Sequence, residues 1–459
     1  MKGPLYNPRD VAVLALRDRN GNVTAHLERV LAKGNRSAED TALARELALG
    51  TARRRGTIQA VQRAFLARPG RNLPGAVQEI LDVALYQVLY LDRVPQFAAV
   101  NEAVSQAKRF RHKRQSGLVN GVLRTVTRSV SDVADGSPPL SADVLPAGVN
   151  RYRRFDRAVF TDPSAEPAAY VAEAYSLPKP LTERWVRRYG SSDEAIRIAT
   201  ACNARPPLIL RVNRRVADAE SIAAELSEAG VPARLHTNGL SVVLNGYRKV
   251  SDLAPFQRGA VQPQDPSATA VCIAAEPAPG MSVLDFCAAP GVKTTHLAEL
   301  MDDTGSITAV DVSMTKLKRV EDNCRRMGAT IVKTVLAHEI GRLEPQSFDL
   351  VLADVPCTNT GVLSRRVEAR WRFDSHELES VVREQKKLAR MAAGFVRPGG
   401  RLVYSTCSIE PEECSEVVQW LEKKKPKLRL NSERLALPGG AEDATQWHDG
   451  GYVAILDAE

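Results

Sequence analysis

The stretch MSVLDFCAAPGVKTTHLAELM, residues 281–301, decides the architecture of the C-terminal half of this chain. It opens on an apolar run of the buried-strand type, turns at Pro290-Gly291, and continues with the apolar spacing of a helix. The same cycle repeats downstream. GSITAVDVS (305–313), SFDLVLADVPC (347–357) and GRLVYSTCS (400–408) read as strands, and TKLKRVEDNCRRMG (315–328) and REQKKLARMAAGFV (383–396) read as the helices between them. Such alternation predicts a doubly wound, largely parallel α/β sheet. In that architecture ligands bind outside the carboxyl ends of the strands. Cys287, Asp311, Asp354 and Cys407 all fall at or just after predicted strand ends.

The turn DFCAAPGVKTTH (285–296) is neither a GxGxxG fingerprint nor a Walker A loop, since Val292 breaks the second pattern. Gly291 lets the backbone come close to a ligand, and the following helix offers unpaired N–H groups. Asp311 ends the next strand 20 residues later, where an acid accepts from the ribose hydroxyls of a nucleoside cofactor. A cap for the helix beginning near Ser313 explains the same aspartate equally well. In LADVPCTNTG (352–361) Asp354 ends a strand and Pro356, Cys357 and Gly361 shape a loop facing the cleft; in RPGGRLVYSTCSI (397–409) a Pro-Gly-Gly turn precedes the strand that delivers Cys407.

The chain has seven cysteines and no CxxC pair, so neither a disulfide framework nor a zinc site is expected. Cys202, Cys272 and Cys324 read as small buried hydrophobes. Cys414 stands beside Glu412 and Glu413, whose charges raise a thiol pKa, and reads as inert. A disulfide or metal site at Cys357 and Cys407 lacks histidine partners, so no metal is assigned.

At 459 residues the chain is expected to hold two to four domains. A hydrophobic content of 44% and a charged content of 25% are those of a soluble globular protein. No apolar run is long enough for a bilayer, and MKGPLYNPRD lacks a signal core, so a cytoplasmic protein without a membrane partner is expected. The net charge of +9 favours a polyanionic partner. Residues 1–130 read as all-helical, AVQEILDVALYQVLYLDRVP (76–95) being the strongest run. A basic segment follows, with Lys108, Arg109, Arg111, Lys113 and Arg114 around Phe110; nucleic-acid contact and a solvated helix end account for it about equally. Residues 131–165, rich in Ser, Pro, Gly and Asp, read as a linker. Residues 166–260 read as a small α+β domain, with a strand at Leu208–Val212, a helix in DAESIAAELSEAGV (218–231) and a hairpin around Asn238-Gly239. Residues 261–459 form the α/β domain.

DFCAAPGVKTTHLAEL, ADVPCTNTGVL and VYSTCSIEPEE together resemble the RNA 5-methylcytosine methyltransferases of the NOL1/NOP2/Sun (Fmu) family. RELALGTARRRGTI (45–58) and NEAVSQAKRF (101–110) with LVNGVLR (118–124) resemble the NusB-type domain that precedes the bacterial ribosomal RNA members, and AYSLPKPLTERWVRRYG (174–190) and VQPQDPSA (261–268) match the family's order. The likeness covers nearly the whole chain. It implies an all-α NusB-like domain, a small α+β middle domain that positions RNA, and a Rossmann-like class I methyltransferase domain. The implied activity is S-adenosylmethionine-dependent methylation of cytosine C5 in RNA, small-subunit ribosomal RNA being the expected substrate, by a monomer. Cys407 would be the nucleophile that adds to C6, Cys357 would help release the product, and Asp354 would bond the cytosine edge. Amino-group methyltransferases usually carry an aromatic residue where Cys357 stands, which argues for chemistry at carbon. Cys287, Ala288, Ala289, Pro290, Gly291, Val292 and Lys293 would wrap the cofactor, with Asp311 on its ribose and Asp354 nearby. The chain departs from the family at Val292, where a second glycine is usual, and at Ala337-His338-Glu339, where an acid is usual one or two places away. An RNA-binding ribosome-assembly factor with a degenerate methyltransferase domain is the alternative these departures motivate.

Overall fold

The computed structural model describes residues 7–17, 22–34, 36–67, 73–74, 76–133, 136, 138–244 and 249–459. Ala134, Asp135 and Ser137 of the expected linker, and residues 245–248 of the expected middle domain, lie outside them. The chain divides into two compact units, Met1–Ala204 with Leu363–Asp374, and Arg205–Val362 with Ser375–Glu459.

The first unit begins with helices Pro8–Leu16, Val23–Leu31, Ala38–Phe65, Val77–Tyr90, Gln96–Arg109 and Ser116–Ser129. Their starts follow the sequence: the side chains of Asn7, Asn22 and Ser37 accept from backbone N–H groups of the first turns. Val77–Tyr90 is buried almost all round, which explains why its apolar run shows so little polar face.

The stretch expected to be a linker is instead part of this unit. It carries strands β1 (Val130–Asp132), β2 (Val144–Gly148) and β3 (Arg151–Phe155), in the antiparallel order β1-β3-β2. Its Ser/Pro/Gly composition hides the few residues that order it. Val144, Leu145, Phe155 and Phe160 are buried, and the Phe155 ring lies 5.9 Å from that of Phe65 and 6.4 Å from that of Phe160. Arg153 pairs with Asp132 at 2.8 Å and with Asp92 at 3.3 Å, so the basic residues of β3 are largely held by their own unit. Helices Pro167–Ala174, Lys179–Tyr189 and Ser192–Asn203 fall within this unit as well.

Leu363–Asp374 completes the unit around one buried guanidinium. Arg370 donates to the carbonyls of Arg53 (2.9 Å), Ser176 (3.1 Å), Cys202 (3.0 Å) and Leu363 (3.0 Å) and to Asn203 Oδ1 (2.9 Å). Burial pushes its pKa down to about 9.

The second unit starts with β4 (Leu208–Val212), β5 (Ala233–Leu235), β6 (Ser241–Leu244) and β7 (Val261–Pro263), in the order β5-β6-β4-β7, with helix Ala219–Glu228. The hairpin β5–β6 forms as expected, with Gly239 at φ 67° and Asn238 Oδ1 accepting from Leu240 N at 3.0 Å. The remaining strands are β8 (Ser282–Phe286), β9 (Ser306–Asp311), β10 (Val332–Leu336), β11 (Phe348–Asp354), β12 (Val396–Thr406), β13 (Leu428–Ala436) and β14 (Gly451–Ala458). They form one sheet, β10-β9-β8-β11-β12-β14-β13. The first five strands run parallel, and β14 is antiparallel to both of its neighbours.

Alternate residues of the central strands feed two cores. Leu284, Phe286, Val351, Ala353, Leu402 and Tyr404 pack on one face, and Val283, Leu350, Leu352 and Val403 on the other. Pro398-Gly399-Gly400 lies within the span of β12 as an irregularity in its pairing with β11, with Gly399 at φ 71°. Register then sets the ends level. Phe286 pairs with Ala353 and with Val310, and Asp354 with Ser405. Cys287, Asp311, Asp354 and Cys407 are therefore delivered to one edge of the sheet.

Candidate active site

Two thiols meet at that edge. Cys407 follows the last residue of β12, Cys357 sits in the loop after β11, and their Sγ atoms are 2.8 Å apart. Asn359, held at φ 65°, donates from Nδ2 to the Cys357 carbonyl at 2.8 Å, and its Oδ1 lies 3.5 Å from Cys407 Sγ. Asp354 accepts from Lys293 Nζ at 2.6 Å and from Ser405 Oγ at 2.7 Å. A cavity of about 420 Å³ opens here. Lys293, Asp354, Ser405 and Cys407 line it on one side, and His236, Asn238 and Arg434 are among the residues around the rest.

The electrostatics restrain the thiol. The hydrogen bond with Cys357, then burial, pushes the Cys407 pKa well above 9.0, with the Lys293 ammonium acting the other way. Burial opposes the charge on Lys293, but the Asp354 carboxylate outweighs it and the lysine pKa is raised. Lys293 thus stays a cation, facing both the carboxylate and the thiol.

The loop Cys287–Gly291 is built for close approach. Cys287 has φ 72° and Gly291 φ 92°. A Cβ on Gly291 would lie 2.9 Å from the Cα of Val320, so only glycine fits there. Val292 is the first residue of helix Val292–Leu300 and lies outside the left-handed region; the glycine usual at this place is not required by the backbone. Cys287 packs against the core of the sheet, and burial pushes its thiol up to about 12. Asp311 is buried and accepts from Ala289 N (3.3 Å), Val312 N (2.7 Å) and Lys316 Nζ (3.2 Å). Ser313, the N-cap of the next helix, makes no side-chain cap, and Asp311 bonds the Cys287–Gly291 loop rather than that helix's free N–H groups. At the other departure, His338 is exposed and Glu339 pairs with Arg342.

Burial raises Asp285, in the interior of β8, to about 7; Thr294 Oγ1 donates to one of its oxygens at 2.6 Å, and Oδ1 has no partner. An orphaned buried acceptor, a loop open to close approach and a carboxylate at the end of β9 fit a nucleoside-amino-acid cofactor with hydroxyl and ammonium donors.

Among the basic residues, Lys108, Arg111, Lys113 and Arg114 are exposed around a turn at the end of helix Gln96–Arg109. Arg109 differs: it pairs with Asp10 at 2.8 Å and Glu102 at 2.6 Å, a structural role inside its own unit. Cys202, Cys272, Cys324 and Cys414 are buried. Asp285, Asn359, Ser405 and Glu413 escape the sequence reading. Glu413 sits in an acidic run that reads as surface, and only its position after the Cys407 strand hints otherwise.

A parallel sheet of this order, closed by an antiparallel β14 and carrying its polar residues at one carboxyl edge, is that of a Rossmann-like methyltransferase domain. Residues 272–448 match the family described as 16S rRNA methyltransferase RsmB/F, residues 7–128 the NusB family, and residues 177–251 the RsmF/B-like ferredoxin-like domain. The probable ribosomal RNA small subunit methyltransferase B of Bacillus subtilis is 30% identical over 424 residues, covering 91% of this chain and 88% of that protein. The Klebsiella pneumoniae enzyme of that name is 31% identical, covering 92% and 90%. The crystal structure of PH0851 superposes with a TM-score of 0.73 over 99% of both chains at 24% identity, a likeness of fold. The chain belongs to the 16S rRNA methyltransferase RsmB/F family.

Proposed function

We propose that the protein methylates C5 of a cytosine in small-subunit ribosomal RNA, with S-adenosylmethionine as donor, through a covalent adduct at Cys407. The observation that carries this is the pair of thiols 2.8 Å apart beside the Lys293–Asp354 pair. Pyrimidine C5 is a poor nucleophile until a thiolate adds to C6. Cys407 passes its proton by way of the Asp354 carboxylate to cytosine N3 and forms the S–C6 bond; the C5=C6 pair moves to C4–C5, which leaves an enamine nucleophilic at C5. The Asp354 carboxylate then accepts from N3–H, and Lys293 keeps that carboxylate placed. Cys287–Lys293, Asp285 and Asp311 would hold S-adenosylmethionine, which would supply the methyl group to C5 and leave as S-adenosylhomocysteine. Cys357 as thiolate removes the C5 proton, the C5=C6 double bond re-forms, and the C6–S bond breaks to return the Cys407 thiolate, which takes back the proton from N3. The target base leaves its stack to reach the cavity.

Cys407→Ala is expected to abolish methylation. Cys357→Ala is expected to leave RNA covalently attached, visible as a shifted band on a denaturing gel. Full turnover by Cys357→Ala with no adduct would refute the assigned roles. Titration of S-adenosylmethionine into the purified protein tests the donor, and no binding at millimolar levels would sink it. Bisulfite sequencing of ribosomal RNA from cells lacking the protein would locate the nucleotide.

A further inference from the structure

Glu413 is fully buried, yet it belongs to no step above. It closes the short turn Pro411–Glu413 beyond β12. Its Oε1 accepts from Thr358 N at 2.9 Å and from Gln385 Nε2 at 2.9 Å. Its Oε2 accepts from the hydroxyls of Thr358 and Ser408. Thr358 follows Cys357, and Ser408 follows Cys407. Gln385 also donates to the Pro356 carbonyl at 3.0 Å, so the residues on both sides of Cys357 are tied to the same pair of side chains. A further bond joins Ser408 Oγ to Thr360 Oγ1 at 2.9 Å, and Tyr404 OH donates to the Glu413 carbonyl at 2.8 Å.

A buried carboxylate is costly, and a packed apolar cluster would hold two loops together at least as well. What four donors on one carboxylate add is a fixed geometry. The bonds reach three chain segments, and two of those segments carry the thiols. We propose that Glu413 is a positioning residue that sets the distance and aim of Cys357 and Cys407 through Thr358 and Ser408. This rests on the reading that both thiols act in methyl transfer.

The two arms of the clamp make different expectations. Thr358→Val removes the hydroxyl next to Cys357 but keeps its shape and backbone N–H; release slows, and the RNA–protein adduct accumulates during turnover. Ser408→Ala loosens Cys407; adduct formation slows, and no adduct accumulates. Each is expected to lower kcat about 10-fold to 100-fold, the scale of a misplacement near 1 Å, with KM for the ribosomal RNA and the affinity for S-adenosylmethionine within about 2-fold. Glu413→Gln can keep the two N–H bonds and turn its amide toward the hydroxyls, so it rescues most of the rate that Glu413→Ala loses.

The assay uses the full chain with small-subunit ribosomal RNA, beside thermal melts of every variant. If the folded Thr358 and Ser408 variants run at the wild-type kcat, the positioning role is overturned. It is also overturned if their losses follow the drop in Tm and vanish on cooling, or if both variants change adduct level alike. A Cys407→Ala control that still methylates would instead overturn the underlying reading, whatever the Glu413 variants do.

Discussion

Cys407, the nucleophile of the proposed reaction, is a thiol held in its protonated form. Its pKa is raised first by the bond with Cys357 and then by burial, and Lys293 only partly offsets this. The thiolate fraction therefore grows with pH over the whole range below the raised pKa. We expect kcat/KM to climb by up to tenfold per pH unit through neutrality without levelling before pH 9, as read from a pH–rate profile. Cys357→Ala removes the largest cause of the shift, so the pH dependence of adduct formation should move to lower pH in that variant. Lys293→Met should move it to higher pH. Cys407 was legible in the sequence because it follows a strand end in the parallel domain, and Cys357 and Lys293 because they stand in motifs that resemble those of the family. Asp285 and Glu413 were not: the first hides inside an apolar strand and the second inside an acidic run. What singles them out is burial, which depends on residues far away in the chain.

At the level of elements, β11, β12 and β14 and their loops form the frame of the site. Gly361 N donates to the Cys407 carbonyl at 3.0 Å, and Gly450 N donates to the Gly361 carbonyl at 2.8 Å. A Cβ on Gly361 would lie 2.5 Å from the Gly450 oxygen and 2.7 Å from the Cys407 oxygen. Gly361→Ala should force these loops apart, costing about 1–3 kcal/mol in urea unfolding and a larger share of activity than of stability. The largely parallel character of the sheet followed from the alternation of apolar runs with amphipathic helices; its strand order did not. The sheet β1–β3 did not, since three short strands in a Ser/Pro/Gly-rich stretch carry almost no periodic signal. Their order comes from Phe155 against Phe65, a packing that no local pattern announces.

Across the whole molecule, the positive charge has a focus that the net value of +9 does not reveal. Replacing the exposed Lys108, Arg111, Lys113 and Arg114 together by alanine should weaken RNA binding and flatten its salt dependence, by up to about 0.7–0.9 in logarithmic slope for each phosphate no longer neutralised. Arg109→Ala, by contrast, should act chiefly through Asp10 and Glu102 and show in the melting temperature. Arg370→Met would strip the donor from five acceptors in the first unit and is expected to cost at least about 3 kcal/mol of stability, measured by denaturant unfolding. The segment that carries Arg370 begins two residues after Gly361, so the chain passes from the second unit to the first and back again between the two cysteine motifs. No single cut in the polypeptide separates the units cleanly. A fragment starting at residue 205 would carry a stranded piece of its neighbour, with the buried guanidinium turned out to water. The methyltransferase half is in this sense not a detachable module, and its shortest well-folded form should be a polypeptide that spans both units.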